Sequence, residues 1–191
     1  MAFVRTDTIK PGLNKILIKN ISEKNLKLFI VIILGLFIVG CTQDDVVVDK
    51  KLPLVSDFDY KVINDWNTTF LRIERYADGY RPGPAPRGLA YLGLAAYEAC
   101  IPGMPEYKSF SGYFPGFQVP AGDPNAEYNW PLVVNETYHY LIPLFFSQAT
   151  QQQLNAADDM YNSNLNRLKT NVPEEVVSRS IARAREVAEA V

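Results

Sequence analysis

SDFDYKVINDWNTTFLRIERYAD, residues 56–78, decides how the rest of this chain is read. Phe58, Val62, Trp66, Phe70, Ile73 and Ala77 fall at three- and four-residue spacing, which lines the apolar side chains along one face of a helix. Ser56 with Asp59 three residues on makes a Ser-x-x-acid start, in which each side chain caps the other's backbone N–H. Gly79-Tyr80-Arg81-Pro82-Gly83-Pro84 then stops the helix near Asp78.

Four more helical patterns follow. Residues 86–101 carry Gly88, Ala90, Gly93, Ala95, Ala96 and Ala99, small side chains that let neighbouring backbones approach and predict a central, well-buried helix. Residues 102–128 hold five prolines, four glycines and the aromatics Tyr107, Phe110, Tyr113, Phe114, Phe117 and Tyr128. A loop of that length is functional or packs on something. A third helix is expected from Asn129 to about Ser147, with Pro143 kinking or breaking it. Thr150 and Gln153 form a capping box ahead of the stripe Leu154, Ala157, Tyr161, Leu165 and Leu168. Pro173, Glu174 and Glu175 open the last helix, whose expected buried face is Val177, Ile181, Ala184, Ala188 and Val191. Residues 56–191 therefore read as an all-α bundle of about five helices. The last stripe reaches Val191 with no glycine or proline to stop it, so the domain is expected to be incomplete at its C-terminus, the front part of a larger all-helical fold.

The front of the chain carries an address. Lys10, Lys15, Lys19, Lys24 and Lys27 precede twelve uncharged apolar residues, Leu28 to Val39, and Gly40-Cys41 follows. A basic start, a short apolar run and a small residue at the cut describe a secretory leader, residues 1–40. The run is too short for a spanning helix, which needs roughly 20 apolar residues. Cysteine directly after the cut makes this a lipoprotein signal, with Cys41 as the acylated residue and a lipid membrane as the partner. Residues 41–55 form an acidic tether; acids close behind the lipidated cysteine resemble the surface-export signal of Bacteroidetes lipoproteins, which implies outer-membrane placement and the cell surface as its outward-facing option. Residues 41–191 hold 13 basic and 19 acidic side chains, a net of -6, which argues against a nucleic-acid partner. With Cys41 lipidated, Cys100 is left without an intramolecular disulfide partner and is expected as a small buried residue on an apolar helix.

Catalytic constellations are thin. His139 is the single histidine, and Glu136 three residues earlier puts an acid and an imidazole on one helix face. Carboxylate-bridged di-iron bundles use two such pairs with two further glutamates, so one histidine leaves that site incomplete and a structural role is expected. No Gly-x-Ser-x-Gly elbow, phosphate loop or paired-cysteine metal motif occurs. The adjacent carboxylates Asp44-Asp45, Asp158-Asp159 and Glu174-Glu175 do not share a helix face and read as solvated surface. Arg81 and Arg87 bracket the Pro/Gly turn, where a guanidinium could clamp an oxyanion or simply pack and cap.

Trp66-Asn67, Pro84-Ala85-Pro86-Arg87-Gly88-Leu89-Ala90 and Ala95-Ala96-Tyr97-Glu98-Ala99 together resemble the opening helices of bacterial vanadium-dependent haloperoxidases, in the superfamily that includes type 2 phosphatidic acid phosphatases. Pro105 to Gly112 and Tyr128-Asn129-Trp130-Pro131 resemble the lipoprotein branch of that group, and Ser180 to Val191 the start of a later helix that normally continues. The resemblance implies an all-helical fold around a vanadate or phosphate pocket. There, lysine and two arginines neutralise the oxyanion, a Ser-Gly-His segment does acid/base work, and a further histidine binds vanadium or takes the phosphoryl group. The family places its lysine seven residues before an Arg-Pro pair; here Glu74 stands seven before Arg81-Pro82, and no Ser-Gly-His occurs. No catalytic, cofactor-binding or metal residue is therefore assigned to this chain, and vanadate is expected in a C-terminal half beyond it. The competing expectation is an outer-membrane glycan- or ligand-binding helical lipoprotein without enzymatic activity, with the aromatics of 102–128 stacking on sugars.

Overall fold

The computed structural model describes residues 51–191; the leader, Cys41 and the first part of the tether lie outside the described residues. Among the described residues the fold is all-α, with five helices: α1 Lys61–Tyr76, α2 Pro84–Cys100, α3 Trp130–Phe145, α4 Gln151–Leu168 and α5 Glu174–Ala190. Short 3₁₀ turns at Val55–Asp57 and Ile101–Gly103 precede α1 and follow α2.

The expected start at Ser56 does not form. Asp57 instead accepts from the Leu54 backbone N–H at 2.8 Å, and Asp59 accepts from the Lys61 N–H at 3.0 Å. Two acids flank the aromatic Phe58, and each captures the nearest donor, so a 3₁₀ turn takes the place of the first helical turn. From Lys61 the predicted stripe holds: Val62, Trp66, Phe70, Ile73 and Ala77 are all buried. The capping box of α4 also forms, Thr150 N–H donating to Gln153 Oε1 at 2.7 Å and Gln153 N–H to Thr150 Oγ1 at 3.3 Å.

The centre of the bundle is α3 rather than the small-residue helix α2. It packs against all four other helices. Its sequence shows why: Trp130, Leu132, Val133, Tyr138, Leu141 and Ile142 cover more than one face, so a single-sided seat would leave apolar surface wet. In α2, Ala90 is exposed and Gly93 half-buried, and the helix presses on α3 and α5 through Leu92, Ala95, Ala96 and Ala99. Pro143 sits in the last turn of α3, which ends at Phe145; the chain then turns so that Phe146 packs on Phe70 and Tyr80 at 4.9 and 4.7 Å between ring centroids.

On α5 the buried face is wider than the expected one. Ile181 is only half-buried, whereas Val176, Ser180, Arg183 and Val187 are buried with Val177, Ala184 and Ala188. Ser180 reconciles its polarity locally by donating to Val176 O at 2.7 Å and accepting from Asn129 N–H at 2.9 Å. A second, smaller core joins α2, α3 and α5 through Ala99, Cys100, Trp130, Val133, Ala184 and Val187. Trp130 closes it: its indole donates to Pro53 O at 2.8 Å, and its ring lies so near Gly103 that a Cβ there would overlap it. Residues 53–55 at the end of the expected tether are thus fixed to the bundle.

Candidate functional site

Three polar constellations sit on this frame. The first joins α3, α4 and α5. Glu136 is buried on α3, and its Oε1 accepts from Arg185 Nε at 2.7 Å. One turn later His139 Nε2 lies 3.0 Å from Asp158 Oδ1. A carboxylate only accepts, so Nε2 carries the proton in this contact. Tyr161 of α4 touches both members of the acid-x-x-His pair: its ring stacks on His139 with centroids 3.9 Å apart, and its phenol leans on the Glu136 carboxylate. Burial first, and Glu136 second, push that phenol well above its ordinary pKa. Glu136 and His139 therefore share Tyr161 as a neighbour but take different charged partners, Arg185 and Asp158. Asp158, read as solvated surface, has the imidazole as its partner; Asp159, Glu174 and Glu175 are exposed.

Beneath this group, Trp66 Nε1 donates to Asn135 Oδ1 at 2.9 Å, and Asn135 Nδ2 donates to Tyr161 O at 3.2 Å. Stacked Trp66 and Tyr138 rings, 5.9 Å apart, fill the space between α1 and α3. His139 is held between the Tyr161 ring and the Asp158 carboxylate, partly open to solvent.

The second constellation pins the long loop. Glu98 on α2 is buried, and its two oxygens accept from Ser109 Oγ at 2.5 Å and Phe110 N–H at 2.7 Å. Arg183 on α5, also buried, donates to Ala99 O at 3.3 Å, Glu98 O at 3.0 Å and Pro120 O at 2.6 Å. Burial pulls its pKa down, while Tyr128, Glu186, Cys100 and Glu98 oppose that pull. Sequence reasoning missed both residues. Their signal was an acid and a base each set among alanines, Ala95-Ala96-Tyr97-Glu98-Ala99 and Ala182-Arg183-Ala184, where a charged side chain on a small-residue face has to find a buried partner. Nearby, burial pushes the Cys100 thiol up to about 12, so the thiol is protonated and inert at neutral pH.

The third constellation is the turn after α1. Arg81 donates from Nε and Nη2 to Glu74 Oε1 and Oε2 at 2.5 and 2.7 Å, a two-pronged pair. The acid that stands where the family resemblance expects lysine is thus the partner of the Arg-Pro arginine. Arg81 holds the Glu74 carboxyl below its ordinary 4.5, first through these hydrogen bonds, against a burial effect that raises it. A carboxyl lowered in the folded state stabilises the fold fully above its unfolded pKa and loses that contribution as pH falls through the folded one. Melting curves of wild type and Glu74→Gln are expected to differ at neutral pH and to converge below the ordinary carboxyl value of 4.5. A difference that persists unchanged into acid would contradict the pairing.

Arg87 lines a cleft of about 420 Å³ with Phe70, Tyr80, Ala85, Tyr91 and Phe146. Its guanidinium lies 5.6 Å from the Tyr91 ring centroid and reaches the Tyr91 hydroxyl at 3.4 Å, so one cation edges an otherwise apolar hollow. An oxyanion such as vanadate needs several converging donors, and Arg81, Arg183 and Arg185 are each tied to internal acceptors. Among the described residues, these three guanidiniums do not fit that group. Among the described residues no three histidine, cysteine or acidic side chains converge as metal ligands, and no helix is long and apolar enough to cross a membrane. No protein-family model, curated protein or solved structure matches the chain.

Proposed function

We propose that residues 56–191 are the non-catalytic helical portion of a membrane-anchored lipoprotein of the vanadium haloperoxidase or acid phosphatase kind, held to the outer membrane by acylated Cys41. The oxyanion pocket, with its vanadate or phosphate, belongs in this reading to residues encoded beyond Val191. The observation that carries it is the commitment of the guanidiniums: Arg81 to Glu74, Arg185 to Glu136 and Arg183 to three carbonyls. Those pairings serve the frame, and the all-α architecture is the one the resemblance implies.

The nucleotide sequence following the Val191 codon tests the proposal. In-frame codons for a lysine seven residues before Arg-Pro, and for Ser-Gly-His beyond it, are expected. A stop codon there, with neither segment encoded downstream, would overturn the reading in favour of a stand-alone helical lipoprotein.

A further inference from the structure

The loop between α2 and α3 ends in a knob of aromatic side chains that the bundle does not cover. Tyr113 is 75% exposed, Phe114 50% and Phe110 40%. Phe110 touches Tyr97, Tyr113 and Phe114, with centroids 5.5, 6.2 and 6.2 Å apart. Leaving such rings in water costs roughly 25 cal/mol per Å² of apolar surface, so a contiguous patch of them marks a contact. The knob is also rigid. Glu98 grips Ser109 and Phe110, Tyr97 Oη donates to Lys108 O at 2.7 Å, and Gly112 N–H donates to Phe117 O at 2.7 Å.

Its place relative to the incoming chain selects the occupant. Leu54, Val55 and Ser56 share one cleft, of about 390 Å³, with Tyr107. Val55 and Phe58 share a second, of about 330 Å³, with Tyr97. Residues 54–58 therefore join the bundle beside Tyr97, the ring that Phe110 of the knob touches. Eleven residues separate Cys41 from Pro53, and at 3.3–3.6 Å per residue they reach no further than roughly 40 Å. Charge agrees: residues 105–120 carry Glu106 and Lys108 alone, a net of zero, against -6 for residues 41–191. Phe110 and Phe114 lie near parallel at 23°, but Tyr113 stands edge-on to both, at 76° and 87°, so the most exposed ring breaks the flat platform on which a sugar would stack.

We infer that the Phe110–Tyr113–Phe114 knob is a second membrane contact, seated in the interfacial layer of the bilayer that holds acylated Cys41. The inference rests on the lipoprotein reading of Cys41. The acyl chains supply affinity; the knob fixes which face of the domain meets the lipid, as aromatic side chains do where apolar and polar layers meet.

The full acylated chain, reconstituted in phosphatidylethanolamine–phosphatidylglycerol vesicles with brominated acyl chains, provides the test. Trp66 and Trp130 are buried in the bundle and give the background in wild type. Tyr113→Trp is expected to add an emission that is blue-shifted and quenched by the brominated lipid. Tyr76→Trp, at the end of α1 away from Tyr60, is expected to add one that is neither. Flotation of wild type and Cys41→Ala with the vesicles reads the anchor separately. If wild type floats, Cys41→Ala does not, and the Tyr113→Trp signal is unquenched, the anchor stands and the knob inference falls. If wild type fails to float, the anchor reading falls and takes the inference with it. Equal quenching at both positions, or a blue shift of Tyr113→Trp caused by a soluble β-glucan oligosaccharide without vesicles, would also overturn it.

Discussion

Arg183→Met is expected to cost about 3–5 kcal/mol of folding stability, the size typical of removing one partner from a buried charged network. The side chain is 4% exposed and is the shared donor for carbonyls on α2 and on the loop. Methionine fills much of the volume but donates nothing, so Ala99 O, Glu98 O and Pro120 O lose their guanidinium together. The loop then keeps its grip through Glu98, Tyr97 and Arg179. Denaturant unfolding would read the stability loss, and limited proteolysis would show new cleavage between 102 and 128. Arg183→Lys is expected to recover little, because an ammonium is a point donor and cannot span acceptors arranged around a planar fork. Full recovery by lysine would mean that charge, rather than the fork, holds the loop.

Trp66→Ala carries the other large effect, about 3–5 kcal/mol, as expected for truncating a fully buried aromatic. Trp66 is 0% exposed, stacks on Tyr138 and donates to Asn135. Trp66→Phe separates packing from hydrogen bonding. It keeps a ring between α1 and α3 but leaves Asn135 Oδ1 without its indole donor, a loss of about 1–3 kcal/mol. Typical domains hold only about 5–15 kcal/mol in total, so either truncation should be visible as a large drop in melting temperature. Equal losses for alanine and phenylalanine would place the whole effect in the Trp66–Asn135 hydrogen bond.

Trp66 shows what was legible in the chain. Trp66 stood on a periodic stripe and could be placed in the core from spacing alone, because α1 has one wet face and one dry face. The same holds for α4, whose capping box and stripe are local properties. What lay beyond reach was relational. That α3 is the centre follows from its being apolar on several sides, which periodicity cannot distinguish from a helix with one broad face. The Ser56–Asp59 start failed because Asp57 and Asp59 compete for nearby donors over a few residues.

The site was legible in its parts but not in its pairings. Glu136 and His139 share a helix face as their spacing required, yet Arg185, Asp158 and Tyr161, supplied by helices far along the chain, draw them to separate partners. Glu74 read as the wrong charge for a family lysine; it is the carboxylate that occupies Arg81. Glu98 and Arg183 were hidden in runs of alanine, and only the fold brings them their partners: the 102–128 loop for Glu98, and that loop with the end of α2 for Arg183.

We propose that residues 56–191 are frame without oxyanion chemistry of their own. The most direct measurement follows turnover by the purified protein in two assays: p-nitrophenyl phosphate alone, and bromide with hydrogen peroxide and orthovanadate. Rates equal to those of buffer are expected in both, with the protein folded by circular dichroism. Turnover that rises in proportion to protein concentration in either assay, and is abolished by Arg81→Ala or Arg87→Ala, would contradict it.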